Sequence, residues 1–149
     1  MKHALPILIE TARAARDRQA ASLAQAQLAA GQAQTTLQRL GQFRTDYLAR
    51  SPAASLGRSD GQALAQYQLF FSRLDDAIAL QQQEIELRQA RVAVQQAQLV
   101  QRHQRLLAFE TLARRRASEC ETRELRRLQS ESDEFAARVA GRTALESFR

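Results

Sequence analysis

The sequence predicts an all-α protein, a long antiparallel two-helix coiled-coil hairpin with an overhanging C-terminal helix. Three observations carry that expectation. Residues 62–140 contain neither proline nor glycine. Through them runs an apolar file at seven-residue spacing: Phe71, Ile78, Ile85, Val92, Leu99, Leu106, Ala113 and Cys120. Seven residues are two turns of a slightly underwound helix, so these side chains lie along one seam. The only clear break in the pattern is 51–61, SPAASLGRSDG, which holds Pro52, Gly57 and Gly61 among several serines. That is the turn chemistry that joins two helices.

The composition agrees. There is no tryptophan, aromatics are 5%, and the 149 residues include only five glycines and two prolines. Alanine, glutamine, leucine, arginine and glutamate dominate, the strong helix formers. The length gives one structural unit over 1–149. An extended helical protein has little interior, so no dry pocket for catalysis is expected.

Taken in order, residues 1–3 are read as loose, and Pro6 fits the first turn of a helix over about 5–50, where its missing amide hydrogen costs nothing. One seam position of this helix holds Leu5, Ala12, Gln19, Ala26, Ala33, Leu40 and Tyr47. The other holds Ile9, Arg16, Leu23, Ala30, Leu37 and Arg44. The alanines let two helices approach closely but bury little area each. Gly31 and Gly41 are weak points, each costing about 1 kcal/mol relative to alanine. In the break, Ser59 or Asp60 can cap the second helix, which is expected over about 62–140.

The second seam position of that helix is mixed: Leu74, Gln81, Arg88, Gln95, Arg102, Phe109 and Arg116. Antiparallel pairing then sets Tyr47 against Phe71, Leu40 against Ile78, Ala33 against Ile85, Ala26 against Val92, Ala12 against Leu106 and Ile9 against Phe109. The same register sets Arg16 against Arg102 and Ala30 against Arg88, layers that weaken the coil. Packing is expected to be strong near the break and looser toward the termini. At about 1.5 Å per residue the first helix is roughly 70 Å long and the second roughly 120 Å. The first therefore runs out near Ala113, and Cys120 is expected to continue the seam.

Beyond that point Arg114, Arg115 and Arg116 open an overhang whose apolar residues, Leu125, Leu128, Phe135 and Val139, share one face. An uncovered amphipathic stripe of several turns reads as a docking helix. Gly141 is expected to end the helix, leaving 141–149 as a tail.

The net charge is +6, and Lys2 is the only lysine. Nucleic acid, anionic lipid or an acidic protein could answer such a charge. Arginines paired with nearby glutamates on a solvated helix account for much of it, and no nucleic-acid partner is assigned. One cysteine allows no intrachain disulfide. No stretch approaches membrane-spanning length, and a soluble, cytoplasmic chain is expected. There is no glycine-rich phosphate loop, no CxxC and no nucleophile–base set, and His3 and His103 do not make a metal pair. Neither an enzyme nor a cofactor is expected.

Several segments carry a family likeness: FRTDYLAR before the break, QYQLFFSRLDDAI after it, then FETLARRR and SDEFAARVAGR. In content and order they resemble the flagellar export protein FliJ over nearly the whole chain. The resemblance implies an antiparallel coiled coil in the cytoplasmic part of the flagellar type III export apparatus, similar in shape to the central stalk of rotary ATPases. It implies that the end bearing the termini enters the hexameric export ATPase, promoting its assembly and activity. It also implies contact with the export gate protein FlhA, escort of empty export chaperones, and a peripheral place at the inner membrane, at the base of the flagellum, through these partners.

Carried over residue by residue, the gate-contacting positions are Leu40, Phe43 and Tyr47 on the first helix and Phe70, Leu74 and Ala77 on the second. Thr36 and Gln81 depart from the family's usual glutamine and histidine. Leu40, Tyr47 and Leu74 are also seam positions and are read first as core. Phe43 and Phe70 lie off the seam and are read as exposed contacts. The ATPase-docking residues are Arg114, Arg115, Arg116, Leu125, Leu128 and Phe135. Two other readings share the same helices: the equivalent stalk of a virulence-type secretion system, and a generic coiled-coil scaffold.

Overall fold

The structure, a computed structural model, describes residues 4–50 and 61–147. It contains two helices, α1 (Ala4–Ala49) and α2 (Gly61–Glu146), packed against each other, and no strand among the described residues. The expected break at 51–61, with its Ser59 or Asp60 cap, lies outside the described residues except for Gly61, which opens α2. The loose residues 1–3 lie outside them too.

Pro6 falls in the first turn of α1, as its chemistry requires. The α2 terminus differs from expectation. The helix passes through Gly141 and ends at Glu146. Glycine weakens a helix but does not stop it unless the backbone must turn left-handed. Arg142–Glu146 are compatible with helix, and the Thr143 hydroxyl donates back to the Val139 carbonyl at 3.1 Å. Residues 141–146 of the expected tail are therefore helical.

The packing falls into two compact units, Arg13–His103 and Met1–Ala12 with Gln104–Arg149. In the first, cross-helix pairs fix an antiparallel arrangement. Tyr67 of α2 donates to the Tyr47 carbonyl, Gln81 to the Ala33 carbonyl, Arg88 to the Ala29 carbonyl, and Gln19 of α1 to the Gln95 carbonyl. As one partner's number rises the other's falls. These pairs lie within about one turn of the register expected from the seams. The buried residues of this unit are Ala26, Ala33, Leu74 and Ile85. In the second unit they are Leu5 and Ala12 of α1 and Leu106 of α2. Every one of the seven sits on a seam file.

The polar seam positions behave differently from the expected weak layers. The Gln81 amide reaches the Ala33 carbonyl at 2.9 Å, and the Arg88 Nη1 reaches the Ala29 carbonyl at 2.8 Å while its Nε holds Glu84 at 2.7 Å. The Gln19 amide bonds the Gln95 side chain at 2.6 Å and its carbonyl at 3.2 Å. The alanines of α1 make this possible. A methyl leaves the backbone carbonyls open to a long polar side chain from the other helix. No buried side-chain nitrogen or oxygen among the described residues lacks a partner. Arg16 turns to its neighbour Asp17 at 2.6 Å, and Arg102 is exposed.

Replacing Gln81 by leucine is expected to leave thermal stability unchanged or raise it by up to about 1 kcal/mol, since an apolar side chain needs no partner. A circular-dichroism melt checks this. A loss above that size would show that the Ala33 carbonyl depends on its amide donor.

Burial does not fade toward the termini as expected. Ala33 and Leu106 are both 2% exposed, whereas Leu40, Tyr47, Phe71 and Ile78 are half-buried. Two helices alone cannot enclose a large side chain on its outer side, but they cover a methyl fully. A leucine opposite alanine, as at Leu106, also fits. Cys120 departs from its seam role and is exposed. Ala113 is half-buried, and every residue from Arg114 to Ser147 is exposed, so α2 has the expected uncovered end.

Candidate protein-docking surfaces

The first surface lies in the Arg13–His103 unit. Aromatic residues four apart on each helix, Phe43 with Tyr47 and Tyr67 with Phe71, place their rings on one side of the helix that carries them. Across the interface Tyr47 meets Phe70 with ring centroids at 4.5 Å and Tyr67 at 5.8 Å, and Phe43 meets Phe70 at 6.4 Å. Phe43–Tyr47 and Tyr67–Phe71 close the cluster at 5.7 and 5.4 Å. Such tilted and stacked rings stabilise one another beyond their burial.

At its edge the Arg44 guanidinium lies 5.1 Å over the Phe71 ring and its Nε donates to Asp75 at 2.7 Å. That hydrogen bond, then the charge of Asp75, raises the Arg44 pKa, against a smaller opposing effect of burial. A raised pKa on a cation stabilises the fold below the group's ordinary value and is lost only as pH climbs through the raised one. The Arg44 side of this ion pair therefore adds no pH dependence near neutrality.

The six residues matched to the gate surface separate into two groups. Phe43 is 50% exposed and Phe70 36%, so these two rings form the accessible part, with Tyr47 half-buried between them. Leu74 is buried, and Leu40 and Ala77 are half-buried. The core reading fits Leu74 best. Tyr67 and Phe71 also belong to the cluster. The signal for Tyr67 was its four-residue step to Phe71, combined with its place near Tyr47 in the antiparallel register.

The second surface lies in the other unit. Arg114, Arg115 and Arg116 are exposed, and none forms an ion pair among the described residues. Leu125, Leu128 and Phe135 are 61, 54 and 69% exposed, on the same face of α2 as Val139. Pairs four residues apart, Arg123–Glu119, Arg127–Glu131 and Arg138–Glu134, at 3.7, 3.5 and 3.4 Å, run beside the stripe. Each contributes about 0.3–0.5 kcal/mol to helix at most. They help hold this uncovered end helical while leaving its apolar face open. Arg116 and Cys120, with Ala113, Ala117 and Arg123, line an open hollow of about 590 Å³ whose other side is Leu5, Pro6 and Ile9. The start of α1 thus accompanies α2 past Ala113, so the overhang begins later than its length suggested.

Among the described residues no three His, Cys, Asp or Glu side chains gather as metal ligands, and no helix is long and apolar enough to cross a membrane. Two exposed apolar surfaces stand out, one at Phe43 and Phe70 and the other along Leu125, Leu128 and Phe135. A family model, described as the flagellar FliJ protein, matches residues 1–145. The chain belongs to the FliJ family. No curated protein and no solved structure matches it. In this FliJ chain the match takes in both surfaces, from Leu40 to Ala77 and from Arg114 to Phe135.

Proposed function

We propose that this FliJ chain works as one coiled-coil unit, a non-catalytic stalk of the flagellar type III export apparatus. The uncovered end of α2 docks into the hexameric export ATPase and promotes its assembly and activity. The Phe43–Phe70 surface meets the cytoplasmic side of the export gate protein FlhA. Escort of empty export chaperones is a further part of the role. These partners hold the chain in the cytoplasm, peripherally at the inner membrane, at the base of the flagellum.

Family membership gives the flagellar context. The observation that carries the docking role is the stripe Leu125, Leu128, Phe135 on a helix that persists for some six turns after Arg123 with no cover from α1. A solvated helix gains nothing from large apolar residues on one face, whereas a helix that inserts into a partner does. The exposed Arg114–Arg116 run suits a ring whose lining includes acidic groups.

The experiment is to replace Arg114, Arg115 and Arg116 with glutamate and measure binding to the export ATPase. Binding is expected to weaken by roughly tenfold or more, with helicity by circular dichroism unchanged, because all three side chains are exposed. Undiminished binding would remove the basic run from the docking surface.

A further inference from the structure

A third apolar file on α2 serves neither surface. Leu80, Leu87 and Val94 are seven residues apart and 66, 69 and 54% exposed. They lie off both seam files and share one face of the helix. A single exposed leucine is ordinary, but three in heptad register form a rail on which another helix can lie.

The rail borders a groove between the helices of the Arg13–His103 unit. Leu87 forms one wall of an open hollow of about 780 Å³, with Ser22, Gln25 and Ala29 of α1 opposite and Arg91 beside it. Apart from Gln25, the α1 side is lined by small residues, Ser22, Ala26 and Ala29, so a third helix could approach closely. Ser22 also borders a smaller hollow of about 190 Å³ between Arg18 and Arg102.

Charge identifies the visitor. Residues 18–45 of α1 and 87–109 of α2 contain no acidic side chain. Glu84 and Glu86 are the only acids on α2 between Asp76 and Glu110, and Glu84 is held by Arg88 at 2.7 Å. Arg18, Arg91 and Arg102 form no ion pair among the described residues. A second copy, itself carrying +6, would bring like charge to this groove.

We propose that this groove receives an amphipathic helix of another protein, one that sets an aliphatic heptad file on Leu80, Leu87 and Val94 and acidic residues beside Arg18, Arg91 and Arg102. The surface is separate from those assigned to the ATPase and the gate, and it stands whether or not those assignments do.

The test is fluorescence anisotropy with the full chain. The probe is a labelled synthetic helix of about four heptads, with leucine at a and d and glutamate at e and g, whose glutamates oppose its self-pairing. It is expected to bind, more weakly as salt rises. Leu87→Asp should weaken binding roughly tenfold or more, as loss of a central apolar anchor does. Arg91→Glu with Arg102→Glu should weaken it and flatten the salt dependence. Leu87, Arg91 and Arg102 are exposed, so circular dichroism should show these variants folded.

No binding would overturn the proposal, as would equal binding of a probe with lysine in place of every glutamate, or binding undiminished by Leu87→Asp. Sedimentation of the chain alone, showing a dimer that Leu87→Asp abolishes, would also overturn it, since the occupant would then be a second copy.

Discussion

Replacing Leu106 with alanine is expected to destabilise the terminal part of the fold by about 2–5 kcal/mol, the range for removing a fully buried leucine. Leu106 is 2% exposed, and the only other buried residues among the described residues of its unit are Leu5 and Ala12. Leucine at 106 is therefore the largest α2 contribution to holding the start of α1. A helix end that loses its tertiary partner has little intrinsic stability, because short helical segments are marginal in water. Hydrogen exchange should show residues 4–12 losing protection first, with the Phe43–Tyr67 region unchanged. Leu107→Ala is the control. Its side chain is 42% exposed, so a change within about 0.5 kcal/mol is expected. Equal effects at 106 and 107 would contradict the assignment of Leu106 as the core of this unit.

The second large effect concerns the uncovered end of α2. Ending the chain after Arg123 is expected to abolish stimulation of the export ATPase while leaving the rest folded. The position of the cut matters. Ala113, Arg116, Ala117, Cys120 and Arg123 face Leu5, Pro6 and Ile9 across the hollow of about 590 Å³, so a cut after Leu112 would also strip the start of α1. A cut after Arg123 removes Leu125, Leu128 and Phe135 and keeps that contact. Thermal melting should change little, since the described residues it removes, Glu124–Ser147, are all exposed. Stimulation that survives this cut would move the docking role to Arg114–Arg116 or away from this end altogether.

The seams were legible because period alone places them. Leu5, Ala12, Ala26, Ala33, Leu74, Ile85 and Leu106 all fall on files that can be read from residue type and seven-residue spacing. The behaviour of the polar layers was not legible. Nothing in the letters Gln81 and Arg88 shows that they reach the Ala33 and Ala29 carbonyls, because that depends on the space an alanine leaves on the other helix. Gly141 misled for a related reason: a glycine marks a helix end only where the backbone turns, and here it does not.

The two candidate surfaces differ in how they could be read. The Leu125–Phe135 stripe is a periodic pattern with no intrachain partner, and exposure follows from that. The aromatic cluster needed the family likeness to be singled out, and even then Leu74 proved to be buried core, with Phe43 and Phe70 the accessible rings. The rail Leu80, Leu87, Val94 is periodic too, but the longer seam beside it draws the eye first.

The most direct test of the stalk reading is ATP turnover and hexamer formation by the flagellar export ATPase of the same organism, with and without the full chain. The account predicts faster turnover and more hexamer when the chain is present. No binding and no change in turnover, with the chain verified helical, would contradict it and leave a coiled-coil scaffold without an ATPase partner as the better description.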